Sequence, residues 1–96
     1  MSYYFIAYIK IYDLEEYEKY LEGYDDIFEK YNGKVIVVDD GPTILEGDWP
    51  YTRAVVIRFP SEEELQHWYE SPEYQALAKH RLQASQADII IVKGRE

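Results

Sequence analysis

Four stretches rich in hydrophobic, mostly aromatic and β-branched residues predict four strands along the chain. Residues 3 to 12 (YYFIAYIKIY) are rich in aromatic and β-branched side chains, which favours a strand with two largely apolar faces. Residues 34 to 38 predict a short buried strand, and residues 52 to 59 and 87 to 94 predict two more. Because both faces of the first strand are apolar, we expect both of them to be covered in the folded protein.

The segment that follows the first strand has the periodicity of an amphipathic helix of about five turns. Asp13 is a suitable N-cap, and Glu16 is placed to complete a capping box. Asn32 and Gly33 predict the end of this helix, because both residue types adopt the left-handed conformation readily. Its apolar stripe consists of Leu14, Tyr17, Leu21, Tyr24, Phe28 and Tyr31.

Two helical pieces precede the last strand. Ser61 and Glu64 indicate a capping box for the first piece, and Ser71 with Pro72 indicates the start of the second. The resulting order, β-α-β-β-α-β, has no repeat and no linker. It predicts one domain over residues 1–96 with a ferredoxin-like α+β fold, in which a four-stranded antiparallel sheet carries its helices on one face. The other face needs a cover, so we predict a homodimer that closes two sheets into an α/β barrel.

Polar residues interrupt the inward stripe of the last helix. Tyr74, Leu77 and Ala78 follow helical spacing, yet Arg81 and Ser85 come next on the same stripe. A helix built only for packing would gain more from Leu or Ala there. We therefore expect Arg81 and Ser85 to line a partly polar pocket with Tyr74. A guanidinium in that pocket would suit a planar carboxylate or enolate, because it offers two parallel donors.

Arg81 also has a purely structural interpretation. A buried charge needs a partner, and Glu46 is the internal carboxylate that we expect to pair with it. Glu46 precedes Gly47 at a strand end, where it is alternatively a candidate general base in a dry pocket. Trp49 follows in a polar loop, and it would either line the pocket or pack across the dimer interface, where aromatic residues are enriched. The sequence is compatible with each of these roles for Arg81, Glu46 and Trp49.

Composition and charge exclude several classes of partner. The 96 residues include 19 acidic and 10 basic ones, giving a formal net charge of −9, and the basic residues form no cluster. Nucleic acids and anionic membranes both require clustered Lys and Arg, so we expect neither. The chain has no cysteine, and His67 and His80 lack metal-ligand spacing, so we expect no metal and no cofactor. The lack of a basic leader or a long apolar run predicts a cytoplasmic protein.

Several stretches resemble the DUF1330 family of the dimeric α/β-barrel superfamily. They are LEGDW, VVIRFPS, WYESPEYQAL and IIIVKG, and the resemblance extends over nearly the whole chain. It implies a ferredoxin-like homodimer, in a superfamily that includes small monooxygenases, muconolactone isomerase and haem-handling enzymes. After the second strand this chain reads Val38-Asp39-Asp40 where the family often has Arg-Gly-Gly.

Three functions are compatible with these features. The first is a monooxygenase-like or isomerase-like enzyme that acts without a cofactor on a small aromatic or enolic molecule. It would need a dry cavity with a perturbed acid or base. The second is a non-catalytic module that binds a small ligand in the same cavity, and the third is a structural homodimer with a filled interior. The resemblance favours the first.

Overall fold

The computed structural model describes residues 1–96 as four strands and three helices. The elements are β1 (Tyr3–Ile11), α1 (Leu14–Lys30), β2 (Lys34–Asp39), β3 (Arg53–Phe59), α2 (Glu62–Glu70), α3 (Pro72–Ala84) and β4 (Ser85–Lys93). The strand order in the sheet is β2-β3-β1-β4, and every neighbouring pair is antiparallel. The ferredoxin-like α+β fold is therefore confirmed. No helix is both long enough and apolar enough to cross a membrane.

The three helices begin where the capping residues predict. The N–H groups of Glu16 and Glu64 donate to the side chains of Asp13 and Ser61, respectively. The N–H of Tyr74 donates to the hydroxyl of Ser71, which caps α3. Such caps satisfy N–H groups that have no partner within the helix, so they mark helix starts reliably in the sequence.

The end of α1 also follows the prediction. Asn32 adopts a φ of 62°, the left-handed conformation that Asn tolerates better than most residues. The next residue, Gly33, passes so close to the Phe59 ring that a Cβ atom there would lie 2.7 Å from it. Both residues thus let the chain turn tightly from α1 into β2.

The core lies between one face of the sheet and the helices. Phe5, Ala7 and Ile9 on β1 and Val55 and Ile57 on β3 supply the sheet side of this core. The helix side is supplied by buried aromatic and aliphatic residues, namely Tyr17, Tyr20, Phe28, Leu65, Trp68, Tyr74, Ala78 and Ala84.

The apolar stripe of α1 differs from the predicted one at two positions. Leu14 is 61 % exposed, whereas Tyr20, which the spacing left out, is buried. The reason is that α1 packs against two surfaces, the sheet and α3. Tyr20 faces α3, where its hydroxyl meets that of Tyr74. A helix with two packed surfaces buries a wider stripe than one with a single packed face.

The strand predicted over residues 34 to 38 exists, but it is not buried. β2 is an edge strand, and Ile36, Val37 and Val38 are exposed. A register shift between Val35 and Val37 distorts its pairing with β3. Its apolar residues therefore form a hydrophobic surface that stays exposed in the single chain. The same holds for the sheet face opposite the helices, where Ile90 lies beside Ile6 and is exposed.

Candidate functional site

Arg81 points into the interior, as the stripe on α3 predicts. The residue is only 5 % exposed, and its guanidinium carbon lies 6.0 Å from the centre of the Tyr20 ring. No carboxylate oxygen lies within 4.0 Å of its nitrogens, and its buried Nε has no hydrogen-bond partner. Since buried polar groups are almost always paired, this orphaned donor requires an explanation.

The expected ion pair between Arg81 and Glu46 is wrong. Glu46 lies in the exposed loop between β2 and β3, where it shares a surface depression with Trp49. The Trp49 ring packs on Tyr8 at 5.1 Å, and Tyr8 belongs to the β1 face that points away from the helices. The sheet thus separates Glu46 and Trp49 from Arg81. Glu46 therefore cannot serve as the counter-ion or the base for Arg81 within one chain, and Trp49 does not line its surroundings.

Ser85 does not line a pocket beside Arg81 either. It is the first residue of β4, and its hydroxyl donates to the backbone carbonyl of Arg81 at 2.7 Å. The polar side chain at this position therefore closes the last turn of α3, because the final carbonyls of a helix lack internal partners. Tyr74 does not line the cavity that Arg81 borders; it is fully buried, and its hydroxyl lies 2.7 Å from that of Tyr20.

Arg53 is a second interior arginine that the sequence analysis missed. Its side chain is only 11 % exposed, and its guanidinium carbon lies 5.7 Å from the centre of the Tyr17 ring. Nη1 donates to Asp40 at 3.1 Å, while the buried Nε has no partner. A signal was available in the sequence, because Arg53 precedes Val55 by two positions and so lies on the buried face of β3.

Both arginines border one small interior space between α1, α3 and the sheet. Its volume is about 10 Å³, which is room for about one water molecule. The walls are otherwise apolar or aromatic: Phe5, Ala7, Ile9, Tyr17, Tyr20, Leu21, Tyr24, Val55, Ile57 and Ile89. We call it the inner space. No carboxylate and no histidine lines it.

The electrostatics of the inner space favour an anion. Burial raises the pKa of Tyr17 to about 12 and also raises the pKa of Tyr20 and Tyr24, so all three phenols that line the space are neutral at physiological pH. The two guanidiniums stay charged, and Asp40 is the one carboxylate bound to either. The site therefore combines an excess positive charge with neutral hydroxyl groups, which is the environment that a small anion requires.

A separate polar contact joins α1 to α3 near this site. The Nδ1 atom of His80 contacts the carboxylate of Glu16, which also binds Lys19 at 3.2 Å. The hydrogen bond from His80, followed by that from Lys19, lowers the pKa of Glu16. No group of three or more histidine, aspartate or glutamate side chains is arranged to hold a metal ion.

Comparison with known proteins shows the same fold. The family model described as "Domain of unknown function (DUF1330)" matches residues 2–95. No functionally curated protein matches the sequence. The RPA0582 protein of unknown function from Rhodopseudomonas palustris is 20 % identical with a TM-score of 0.81, over 99 % of this chain and 83 % of that one.

Two further solved structures carry more information in their descriptions. A dimeric ferredoxin-like protein of unknown function from Jannaschia sp. CCS1 is 9 % identical with a TM-score of 0.79, over 98 % of this chain and all of that one (100 %). SnoaB, a cofactor-independent oxygenase from Streptomyces nogalater, is 13 % identical with a TM-score of 0.69, over 99 % of this chain and 94 % of that one. At these identities the similarity establishes only the fold, so the chemistry has to be inferred from the residues of the site.

Proposed function

This chain belongs to the DUF1330 family, and on that premise we propose that it binds the singly charged anion of a small enolic or aromatic molecule and acts on it without a cofactor. One observation carries the proposal. Arg81 is a buried guanidinium with an unpaired Nε and no carboxylate within 4.0 Å. A protein gains nothing in stability from such a charge, so an anion supplied from outside is its natural partner.

The chemistry follows from the charge of the site. A guanidinium stabilises an enolate or phenolate more than its neutral conjugate acid, so binding beside Arg81 would lower the pKa of the ligand. No side chain lining the inner space is a base at neutral pH, so the proton would leave to solvent. The bound anion would then be electron-rich at carbon. It could react with dioxygen, as in an oxygenase, or accept a proton at a different carbon, as in an isomerase.

A non-catalytic binding module is the second candidate, and a specific observation favours it. The inner space holds no carboxylate, histidine or lysine that could move a proton during a reaction. General acid–base catalysis needs such a group within hydrogen-bond reach of the substrate. The same two arginines would then hold the anion without changing it.

Binding to Arg81 can be tested by isothermal titration calorimetry with two probes. Salicylate presents a carboxylate, and lawsone, a hydroxynaphthoquinone, presents a planar enolate. We expect at least one of them to bind, and we expect the methyl ether of lawsone, which cannot ionise, to bind weakly or not at all. Arg81→Met should abolish binding, whereas Arg81→Lys should retain part of it because the charge remains. Lys79→Met is the matched control, since Lys79 is an exposed cation on the same helix.

A dioxygen electrode, together with a check of each probe for chemical change, then separates the three functions. Protein-dependent oxygen consumption with bound lawsone would support the oxygenase, and binding without turnover of any probe would favour the binding module. If neither anion binds, the proposal fails and the structural homodimer becomes the better interpretation.

We also propose that the protein works as a homodimer, which the dimeric state of its structural relatives supports. β2 and β4 are the two free edges of the sheet, and they run antiparallel to each other. A twofold axis parallel to the strands, with the open faces together, would place β2 of one copy beside β4 of the other. That arrangement would remove both edges and cover the exposed apolar residues.

A further inference from the structure

A groove opens at the end of the sheet next to the inner space, between the start of α1 and the start of the β2–β3 loop. Its volume is about 450 Å³, large enough for a small aromatic molecule. The lining residues are Ile11, Tyr12, Leu14, Asp40, Thr52 and Arg53. We call it the outer groove.

Arg53 is the one residue that lines both the outer groove and the inner space. Its guanidinium lies against the Tyr17 ring on the inner side, and its Nη1 reaches Asp40 on the outer side. The side chain therefore forms the boundary between the two volumes. A molecule that approaches Arg81 through the groove must first meet Arg53.

The partner of Arg53 is weakly held. Asp40 is 66 % exposed at the start of an irregular loop, and its carboxylate makes no other hydrogen bond or ion pair. Ion pairs with one solvated partner contribute little, because water competes for the charge. The part of the groove formed by Thr52 is held more firmly, since the backbone N–H of Ile11 donates to the Thr52 hydroxyl and the Thr52 N–H donates to the carbonyl of Ile9. Asp40 can thus leave Arg53 without disturbing the groove.

We propose that the outer groove binds the planar body of the ligand, and that the anionic group of the ligand replaces the Asp40 carboxylate on Arg53. This inference rests on the proposed function, since it describes how the same anion reaches the Arg81 site. The apolar side chains of Ile11, Tyr12 and Leu14 would contact the ring, and only a water-sized oxygen would enter the inner space. Asp40 is then an internal competitor that sets which ligands bind.

The charges define the class of ligand. Arg53 and Arg81 carry two positive charges, and Asp40 carries one negative charge. A neutral molecule cannot compete with a carboxylate for Arg53, so neutral analogues should be rejected. A singly charged planar anion that replaces Asp40 on Arg53 supplies the same single negative charge as the Asp40 carboxylate. The charge balance around the two arginines is then unchanged. The specificity expected is therefore for monoanionic aromatic or enolic compounds.

Substitution of Asp40 tests the competition directly. With lawsone as the probe, Asp40→Asn should tighten binding about three- to fivefold at low salt, as expected for loss of a partly exposed ion pair. Asp39→Asn is the matched control, because it removes the same charge from the neighbouring residue, which does not touch Arg53. It should change the affinity much less. Equal effects of the two substitutions would overturn the competition.

The apolar wall has its own pair of variants. Leu14→Ser should weaken binding of lawsone, while Leu82→Ser, on the outside of α3, should not. Both leucines are about equally exposed (61 % and 62 %), so neither change threatens the fold. Equal affinities of these two variants would exclude the outer groove as the place where the ring binds.

Combining these variants with Arg81→Met distinguishes the two proposals. If Arg81→Met abolishes lawsone binding but Asp40→Asn behaves like Asp39→Asn, the further inference fails and the proposed function stands. If Asp40→Asn tightens binding while Arg81→Met leaves it unchanged, the outer groove binds the anion without the Arg81 site, and the proposed function fails. If lawsone and salicylate bind neither the wild-type protein nor Asp40→Asn, both proposals fail.

Discussion

The hydroxyl oxygens of Tyr20 and Tyr74 lie 2.7 Å apart in the buried seam between α1 and α3. The two residues are 54 positions apart in the chain, and each supplies the hydrogen-bond partner that the other needs in an apolar setting. Arg81 lies beside this pair, with its guanidinium near the Tyr20 ring. The pair therefore holds the helices together where the candidate site is formed.

The first prediction concerns this hydroxyl pair. Tyr20→Phe or Tyr74→Phe alone should destabilise the protein by about 1–3 kcal/mol, because each change removes the buried hydrogen bond between the two hydroxyls. The double substitution should cost less than the sum of the two single ones. Urea unfolding of all four proteins gives the coupling energy. Strictly additive effects would show that the two hydroxyls do not depend on each other.

The second prediction concerns the stability effect of the buried Arg81 guanidinium, which has no carboxylate partner. Arg81→Met keeps most of the apolar stem and removes a buried charge that has no carboxylate partner in the chain and whose Nε is unpaired. We expect the free energy of unfolding to rise by about 1–3 kcal/mol, together with the loss of anion binding. Lys79→Met on the same helix should change stability by less than about 0.5 kcal/mol. A strong destabilisation by Arg81→Met would reveal a counter-ion, for example one supplied by a second copy.

The third prediction is a pH dependence that arises from Glu16. Its pKa lies below the ordinary value of 4.5 in the folded state, so its contact with His80 and Lys19 stabilises the protein above that value. This contribution should be lost as the pH falls from about 4.5 through the lowered pKa. Melting temperatures between about pH 3 and pH 6 should therefore fall less steeply for Glu16→Gln than for the wild type. Glu15→Gln, at the exposed neighbouring position, should keep the wild-type slope.

The fourth prediction concerns assembly through the open sheet face. Light scattering coupled to size exclusion should report about twice the chain mass of 11.5 kDa. Ile90→Lys places a charge on that face beside Ile6 and should yield a folded monomer. Leu82→Lys, at an exposed leucine on α3, should leave the dimer intact. A wild-type protein that stays monomeric at micromolar concentration would contradict the barrel.

Local sequence signals were sufficient to predict the helices, the strands and the inward orientation of one site residue, Arg81. Asp13, Ser61 and Ser71 cap the helices at the positions that their spacing predicts. The inward orientation of Arg81 follows from the same helical period. Arg53 could have been found in the same way, since it alternates with buried residues on β3. Caps and periods act over a few residues, which is why a single sequence reveals them.

Partners that are distant along the chain could not be found in this way. Glu46 is the counter-ion that the sequence suggests for Arg81, but the sheet separates the two residues. The loop that carries Glu46 has no helical or strand periodicity, so the sequence does not predict where its side chain lies. The contact between Asp40 and Arg53 comes from the same loop and was equally hidden. A loop takes its path from the ends of the strands it joins, so its contacts are known only when the sheet is assembled.

The strands, the helices, their order and the inward direction of Arg81 can all be predicted from the sequence, because each of these depends on side chains within a few positions of one another. The surroundings of that arginine depend instead on how the helices and strands pack together. Packing of α3 against α1 brought the Tyr20 and Tyr74 hydroxyls together, and the register of β3 placed Arg53 at the rim of the same space. Burial and hydrogen bonding arise only when the helices pack on the sheet. The free-energy cost of a charged side chain depends on its burial and its hydrogen bonds more than on its neighbours in the sequence.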